Sequence, residues 1–126
     1  MPWDEKSALE HEHVSYAQKF ISEYTFLLGS LSLPITIRIY KHVFSDPAMF
    51  DTIASYAIKT PTQVSPYGAH KTYQDSAEYA LSQAVMNFTL YYSEAIEAGH
   101  EPNDSWLVPN EHFYKVEKPE VDSDPS

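Results

Sequence analysis

Residues 73–99, YQDSAEYALSQAVMNFTLYYSEAIEAG, constrain the fold most, because their apolar side chains recur at the spacing of a helix. Asp75 is placed to cap the first turn with Glu78 reaching back, and Gly99 is placed to end the helix. We therefore predict a helix over about residues 75–98. Its apolar stripe comprises Ala77, Leu81, Ala84, Val85, Phe88, Tyr92, Ala95 and Ile96. Met86, Leu90 and Tyr91 widen this stripe, which indicates more than one neighbour, and a second copy of the chain would supply one.

Two further segments also show helical spacing. Ser7 and Glu10 match a capping box, Gly29 is suited to end a helix, and apolar residues lie three and four apart between them. This pattern predicts a helix over residues 8–28. Ser45 is a suitable cap with Pro47 in the first turn, and the apolar positions that follow predict a helix over residues 46–59.

The segment between these helices favours a strand. Ile35, Ile37 and Ile39 alternate with polar or aromatic residues, and alternating β-branched residues are typical of strands. We predict a strand over residues 35–40 that pairs with a short strand over residues 112–116. A helix over residues 34–44 stays open as the alternative, because Pro34 is acceptable at the start of either element.

The expected fold class is therefore mainly α, a small domain of three helices with a possible two-stranded β element. With residues 34–44 helical, the alternative is an all-α four-helix bundle. We predict one globular domain over residues 1–116. Residues 117–126 are acidic and contain proline, which predicts a disordered tail.

The charge distribution argues against nucleic-acid binding. The chain has 126 residues, 18 acidic and 8 basic, and no Lys or Arg occurs between Thr72 and Tyr114. Such a surface repels phosphate backbones and attracts basic proteins. No run approaches the roughly 18 apolar residues of a membrane span, and no secretory signal is visible. We therefore expect a cytoplasmic protein with no membrane partner.

The run EHEH, residues 10–13, raises the question of a metal site. Helical neighbours point about 100° apart, so only Glu10 and His13 could share an ion. Glu97 and His100 repeat this spacing, which occurs in di-iron bundles, but that arrangement also needs glutamates from two further helices. We interpret EHEH as the solvated first turn of a helix and predict no metal site and no cofactor, with Glu10, His13, Glu97 and His100 as weak alternatives.

A second set of residues is suited to bind a small molecule. Arg38, the only arginine, is expected to pair with an internal carboxylate, and its alternative role is to clamp a ligand carboxylate or phosphate. A pocket between the long helix and the 35–40 segment would take its ligand-binding residues from Arg38, Tyr67, His70, Tyr92 and Trp106.

The absence of catalytic motifs and of cysteine favours a protein that is not an enzyme. We predict a small acidic interaction protein, homodimeric through its long helix, that binds another protein through an acidic, tyrosine-rich helical surface. The expected partner is basic, and the expected role is that of an inhibitor, immunity protein, antitoxin or counter-defence protein. The predicted interface residues are Phe88, Tyr91, Glu94 and Glu97, since aromatic side chains favour interfaces. The alternative is a small-molecule-binding protein or minor enzyme with the pocket just described.

Overall fold

A computed structural model of the chain describes residues 3–113. The helices α1 and α2 are Glu5–Leu9 and Ala77–Glu97. Its strands, β1 to β6 in chain order, are Gln18–Phe26, Ile35–His42, Met49–Ala54, Tyr56–Ile58, Thr72–Gln74 and Leu107–Pro109. A 3₁₀ turn, Asp104–Trp106, precedes β6.

The strands form two antiparallel sheets. Four strands make the main sheet in the order β1-β2-β3-β5, and β4 pairs with β6 in a separate two-stranded sheet. The first three strands follow one another as a meander. The chain then leaves the main sheet at Ser55, and β5 returns to pair beside β3. α2, the one long helix of the described chain, is too polar to cross a bilayer, and no other described helix has the required length.

The core lies between α2 and one face of the main sheet. Ile35, Ile37 and Ile39 are completely buried on this face, as their alternation in β2 predicts. The alanines of α2 at positions 80 and 84 are equally buried, and their small side chains let the helix approach the sheet closely. Complete burial of an isoleucine contributes about 1.5–3 kcal/mol, so this layer is the main source of stability.

The mainly α prediction is wrong, because these elements make a small α+β fold with a substantial sheet. The protein is therefore not a helical protein as expected. The alternative of a four-helix bundle is also wrong, because residues 35–42 form a strand. The helix predicted over residues 75–98 is present as α2. Its N-cap is Ser76 rather than Asp75, and Ser76 Oγ accepts a hydrogen bond from the Tyr79 N–H at 3.1 Å.

Residues 8–28, predicted as a helix, contain only the end of α1, a turn and β1. Ser7 is the third residue of α1 and not its cap, because Asp4 Oδ1 accepts from the Ser7 N–H at 2.8 Å. The chain then reverses at His13, whose φ of 76° is incompatible with a continuing helix. β1 is rich in aromatic and β-branched residues, which favour strands, and pairing with β2 outweighs the fortuitous helical spacing.

Residues 46–59, also predicted as a helix, form β3 and β4. Phe50 and Ala54 are buried on the α2 side, whereas Ile53 pairs with Arg38 and is buried on the opposite face. A strand covered on both faces loses its alternation of apolar and polar residues. Its apolar positions then match a helical stripe by accident.

The strand predicted over residues 35–40 is present within β2, but its partners are β1 and β3. The predicted partner strand, 112–116, is absent where it can be checked, because residues 111–113 form a helical turn. Residues 114–116 and the predicted tail, 117–126, lie outside the described residues. The single domain over residues 1–116 stays a prediction.

Thr52 supplies a buried hydrogen bond that holds the chain before β5 against β3. It is 1% exposed, and its Oγ1 lies 2.6 Å from the Ala69 carbonyl oxygen and 3.1 Å from that of Lys71. Thr52→Val keeps the shape and removes the donor, so we expect a loss of about 1–3 kcal/mol in the free energy of unfolding. Thr89→Val on the exposed side of α2 is the control and should change it by less than about 0.5 kcal/mol. Equal midpoints of urea denaturation for the two variants would contradict this assignment.

Candidate interaction surface

The side of α2 turned away from the sheet carries an exposed apolar stripe. Tyr79, Met86 and Leu90 are 45%, 50% and 48% exposed. They are seven and four residues apart, so they follow one another along the helix over about 17 Å. Met86 and Leu90 are neighbours one turn apart, whereas Tyr79 lies two turns before Met86 and its ring packs edge-on against Tyr73 of β5. Single exposed apolar residues are ordinary, whereas exposed apolar residues that lie together can mark an interaction site.

Two carboxylates continue this stripe toward the end of the helix. Glu94 and Glu97 are exposed, and the last turn of α2 contains no basic residue. Within residues 3–113, neither glutamate has a cation at ion-pair distance. The negative end of the helix dipole disfavours carboxylates at this position, so they do not serve the stability of α2. We call Tyr79, Met86, Leu90, Glu94 and Glu97 the outer face of α2.

The predicted interface residues divide between the two sides of α2. Phe88 is completely buried, and its ring lies edge-on to the Tyr67 ring with centroids 5.2 Å apart. Tyr91 is half-buried and packs against Tyr67 at the margin of the core. Glu94 and Glu97 lie on the outer face. The exposed apolar side chains on the outer face of α2 therefore include Met86 and Leu90, whereas Phe88 belongs to the core.

Arg38 lies on the face of the main sheet opposite α2. Its Nε donates a hydrogen bond to Glu23 Oε1 at 2.7 Å, and its guanidinium carbon lies 4.3 Å from the centroid of the Phe113 ring. Glu23 is the cross-strand neighbour of Arg38 in β1. The internal carboxylate favoured for Arg38 from the sequence is thus present, and the guanidinium also makes a cation–π contact.

The remaining predicted ligand-binding residues lie apart from Arg38. Burial raises the pKa of Tyr67 to about 12, so its phenol stays protonated at neutral pH. The Tyr92 hydroxyl accepts from the Ser30 N–H at 3.1 Å, and the Tyr92 ring lies edge-on to the buried Trp106. His70 is exposed on a loop and stacks on His112 with centroids 5.7 Å apart.

The pocket predicted between the long helix and the 35–40 segment is filled with side chains. Ile37 and Ile39 are completely buried there, as is Phe88 of α2. Arg38 is separated from the tyrosines by the sheet itself. The structure therefore does not bring the five predicted ligand-binding residues into one site.

The EHEH run is not the first turn of a helix but the turn that follows α1. Glu10 is the C-cap of α1, and His13 is exposed with its Nε2 3.6 Å from Glu12. Glu97 is the last residue of α2 and His100 follows its C-terminal end, so both belong to a different element from the EHEH turn. Within residues 3–113, no group of three or more His, Asp or Glu side chains is arranged to hold a metal ion.

The sequence predicted Glu94 and Glu97 as interface residues and Met86 and Leu90 as residues that widen the apolar stripe, but it did not join them into one surface with Tyr79. The positions of the small side chains in α2 could have identified this surface from the sequence. Ala80, Ala84 and Ala95 share one side of the helix and are all buried. Alanines at this spacing mark the side that packs closely, so the larger apolar residues opposite them are left exposed.

Comparison with known proteins adds no further constraint. The sequence matches no protein-family model, and neither the curated proteins nor the solved structures gave a match.

Proposed function

We propose that this chain is a non-enzymatic interaction protein that binds a basic protein through the outer face of α2. The observation that carries the proposal is an exposed apolar stripe continued by unpaired carboxylates. A complementary partner presents apolar side chains to Met86 and Leu90 and Lys or Arg to Glu94 and Glu97. The role proposed is that of an inhibitor, immunity protein, antitoxin or counter-defence protein. A cytoplasmic location and the absence of a nucleic-acid partner are part of the proposal.

Two physical terms support such a complex. Water still contacts about half of the side chains of Tyr79, Met86 and Leu90, and a partner would cover this exposed part. Full burial of such a side chain contributes about 1.5–3 kcal/mol to the free energy of binding. The acidic field raises the rate of encounter with a basic protein. A cation from the partner beside Glu94 or Glu97 also relieves the unfavourable position of these carboxylates at the helix end.

A second copy of the chain, the homodimer expected from the sequence, is the competing occupant. An antiparallel α2 pair would bring Glu78 of one copy near Glu94 and Glu97 of the other. These carboxylates would not be neutralised by α2 or its flanking segments, because no Lys or Arg occurs between residues 72 and 114. Like charges that face each other across an interface are unfavourable, so charge complementarity favours a basic partner over a second copy.

The basic partner in the test is a synthetic helical peptide in which turns composed of leucine alternate with turns composed of lysine. Titration calorimetry with the wild type should give saturable binding that weakens steeply as salt is raised, because the contact is partly electrostatic. A double variant, Met86→Ser with Leu90→Ser, should bind at least about tenfold more weakly, a difference of 1.4 kcal/mol.

Val64→Ser is the matched control, because Val64 is 99% exposed and lies in the loop between β4 and β5, outside α2. It should bind the peptide as the wild type does. Equal weakening by Val64→Ser and the double variant would refute the assigned surface. Tight self-association of the wild type that the double variant abolishes would replace the basic partner with the homodimer.

A further inference from the structure

β1 is the long edge strand of the main sheet. It comprises nine residues, and within residues 3–113 it pairs with β2 alone. The strand at the opposite edge, β5, has three residues. An edge strand presents backbone N–H and C=O groups that can pair with another chain, and short edge strands are one way in which proteins prevent such pairing. β1, unlike β5, is therefore long enough to pair with a further strand.

Two features that discourage pairing lie in the first half of β1. Lys19 places a charge on the edge, and the bulge between Phe20 and Ser22 distorts the strand. The second half, residues 22–26, pairs with β2 in continuous register and contains no Lys and no Pro. This second half is therefore a regular edge without those protecting features.

The hydrogen bonds of β2 show which residues of β1 turn their backbone groups outward. The Ser55 N–H donates to the Thr36 carbonyl at 2.8 Å, and the Thr36 N–H donates to Ser55 Oγ at 2.9 Å, so the backbone of Thr36 is turned toward β3. Thr25 lies opposite Thr36, and the two therefore form a pair without backbone hydrogen bonds. The N–H and C=O of Thr25, and by the same alternation those of Glu23, point away from β2 to the free edge.

Apolar side chains accompany this edge on the side of α2. Tyr24 lies opposite Ile37 and therefore on the α2 face of the sheet, but α2 packs mainly over β2, β3 and β5. Tyr24 is 43% exposed as a result, and Leu27, directly after the strand, is 63% exposed. A further strand along β1 would cover these side chains as it pairs.

We propose that the second half of β1 pairs antiparallel with the same segment of a second copy, which joins the two main sheets into one continuous sheet. With the two-fold axis at Tyr24, Glu23 of each copy exchanges backbone hydrogen bonds with Thr25 of the other, and the two Tyr24 rings meet. Glu23 is already paired with Arg38, so this register brings no unpaired charge into contact. The outer face of α2 differs, because its unpaired glutamates disfavour a second copy. The β1 interface does not rest on the proposed function.

Sedimentation velocity of the purified protein over a range of concentrations tests this proposal. We expect a reversible dimer with a dissociation constant below about 100 µM. Raising the salt should tighten the dimer, because each copy carries a net charge of −10 and salt screens the repulsion between copies. The peptide complex of the outer face of α2 should instead weaken with salt. A protein that stays monomeric at about 500 µM would overturn the proposal.

Variants locate the dimer interface. Tyr24→Lys places two ammonium groups against each other at the two-fold axis and should raise the dissociation constant at least about tenfold. Val108→Lys makes the same change in charge on β6, in the other sheet, where Val108 is 46% exposed, and should leave the dimer unchanged. The double variant Met86→Ser with Leu90→Ser should also remain dimeric. Dimerisation that is lost in the double variant but kept in Tyr24→Lys would place the interface on α2 and overturn the proposal.

Amide hydrogen exchange distinguishes a second copy from other occupants of the edge. In the dimer, the outward N–H groups of Glu23 and Thr25 should exchange slowly, and dilution to the monomer should make their exchange fast. The N–H groups of Tyr24 and Phe26 are turned toward β2 and should stay protected at both concentrations. Slow exchange of Glu23 and Thr25 in the monomer would mean that another segment of the same chain covers the edge, which contradicts the proposed dimer.

Discussion

Replacing Phe88 by alanine is expected to lower the free energy of unfolding by about 3–5 kcal/mol. Phe88 is completely buried, and its ring lies edge-on to both Phe26 and Tyr67, so the substitution leaves a cavity between α2 and the sheet. Edge-to-face contacts add to the loss beyond the apolar area. Urea denaturation followed by circular dichroism measures the change.

Leu90→Ala is the matched control for Phe88→Ala. Leu90 lies two residues further along the same helix but is 48% exposed. Its truncation should lower the free energy of unfolding by less than about 1 kcal/mol, since little apolar area leaves the core. The reverse order, with Leu90→Ala the more damaging variant, would mean that α2 is rotated about its axis from the orientation described.

Gly29→Ala is expected to lower the free energy of unfolding by about 2–4 kcal/mol, from overpacking and an unfavourable backbone conformation together. Gly29 has a φ of 56°, and a Cβ atom there would overlap the ring of Tyr92. The Tyr92 hydroxyl also binds the N–H of Ser30, so the ring cannot move away without losing this bond. Gly29 packs the loop after β1 against Tyr92 of α2. Thermal denaturation should detect the loss of stability in Gly29→Ala.

Gly99→Ala separates the two causes. Gly99 also has a positive φ, 93°, but a Cβ atom there would meet nothing within 4 Å. This variant carries the conformational cost alone, about 1 kcal/mol. If both variants were equally destabilised, the close packing of Gly29 on Tyr92 would be contradicted.

The elements that could be predicted are those whose pattern depends on one buried side. α2 has a polar side and a buried side, and β2 alternates cleanly, so both were found near their observed bounds. β3 was misread because Ile53 is buried on the face opposite Phe50 and Ala54. Its helical appearance came from burial on two faces, which only the assembled fold reveals.

β1 was misread for a different reason. It is the edge strand of the main sheet, and Phe20 and Tyr24 remain 51% and 43% exposed. A bulge between Phe20 and Ser22 also shifts the register against β2. Apolar residues that face water and a break in register remove the alternation by which a strand is recognised.

The proposed interaction surface was only partly visible in the sequence. The acidic character of the α2 region is visible as the gap between Lys71 and Lys115.

The most direct test of the proposed surface uses methionine methyl groups as probes. The chain has three methionines, at positions 1, 49 and 86. Met86 lies on the outer face of α2, whereas Met49 is half-buried at the start of β3. With ¹³C-methyl-labelled methionine, assigned by Met86→Leu and Met49→Leu, the basic helical peptide should shift the Met86 signal and leave that of Met49 in place. A peptide that binds without moving the Met86 signal would contradict the outer face of α2 as the interaction surface.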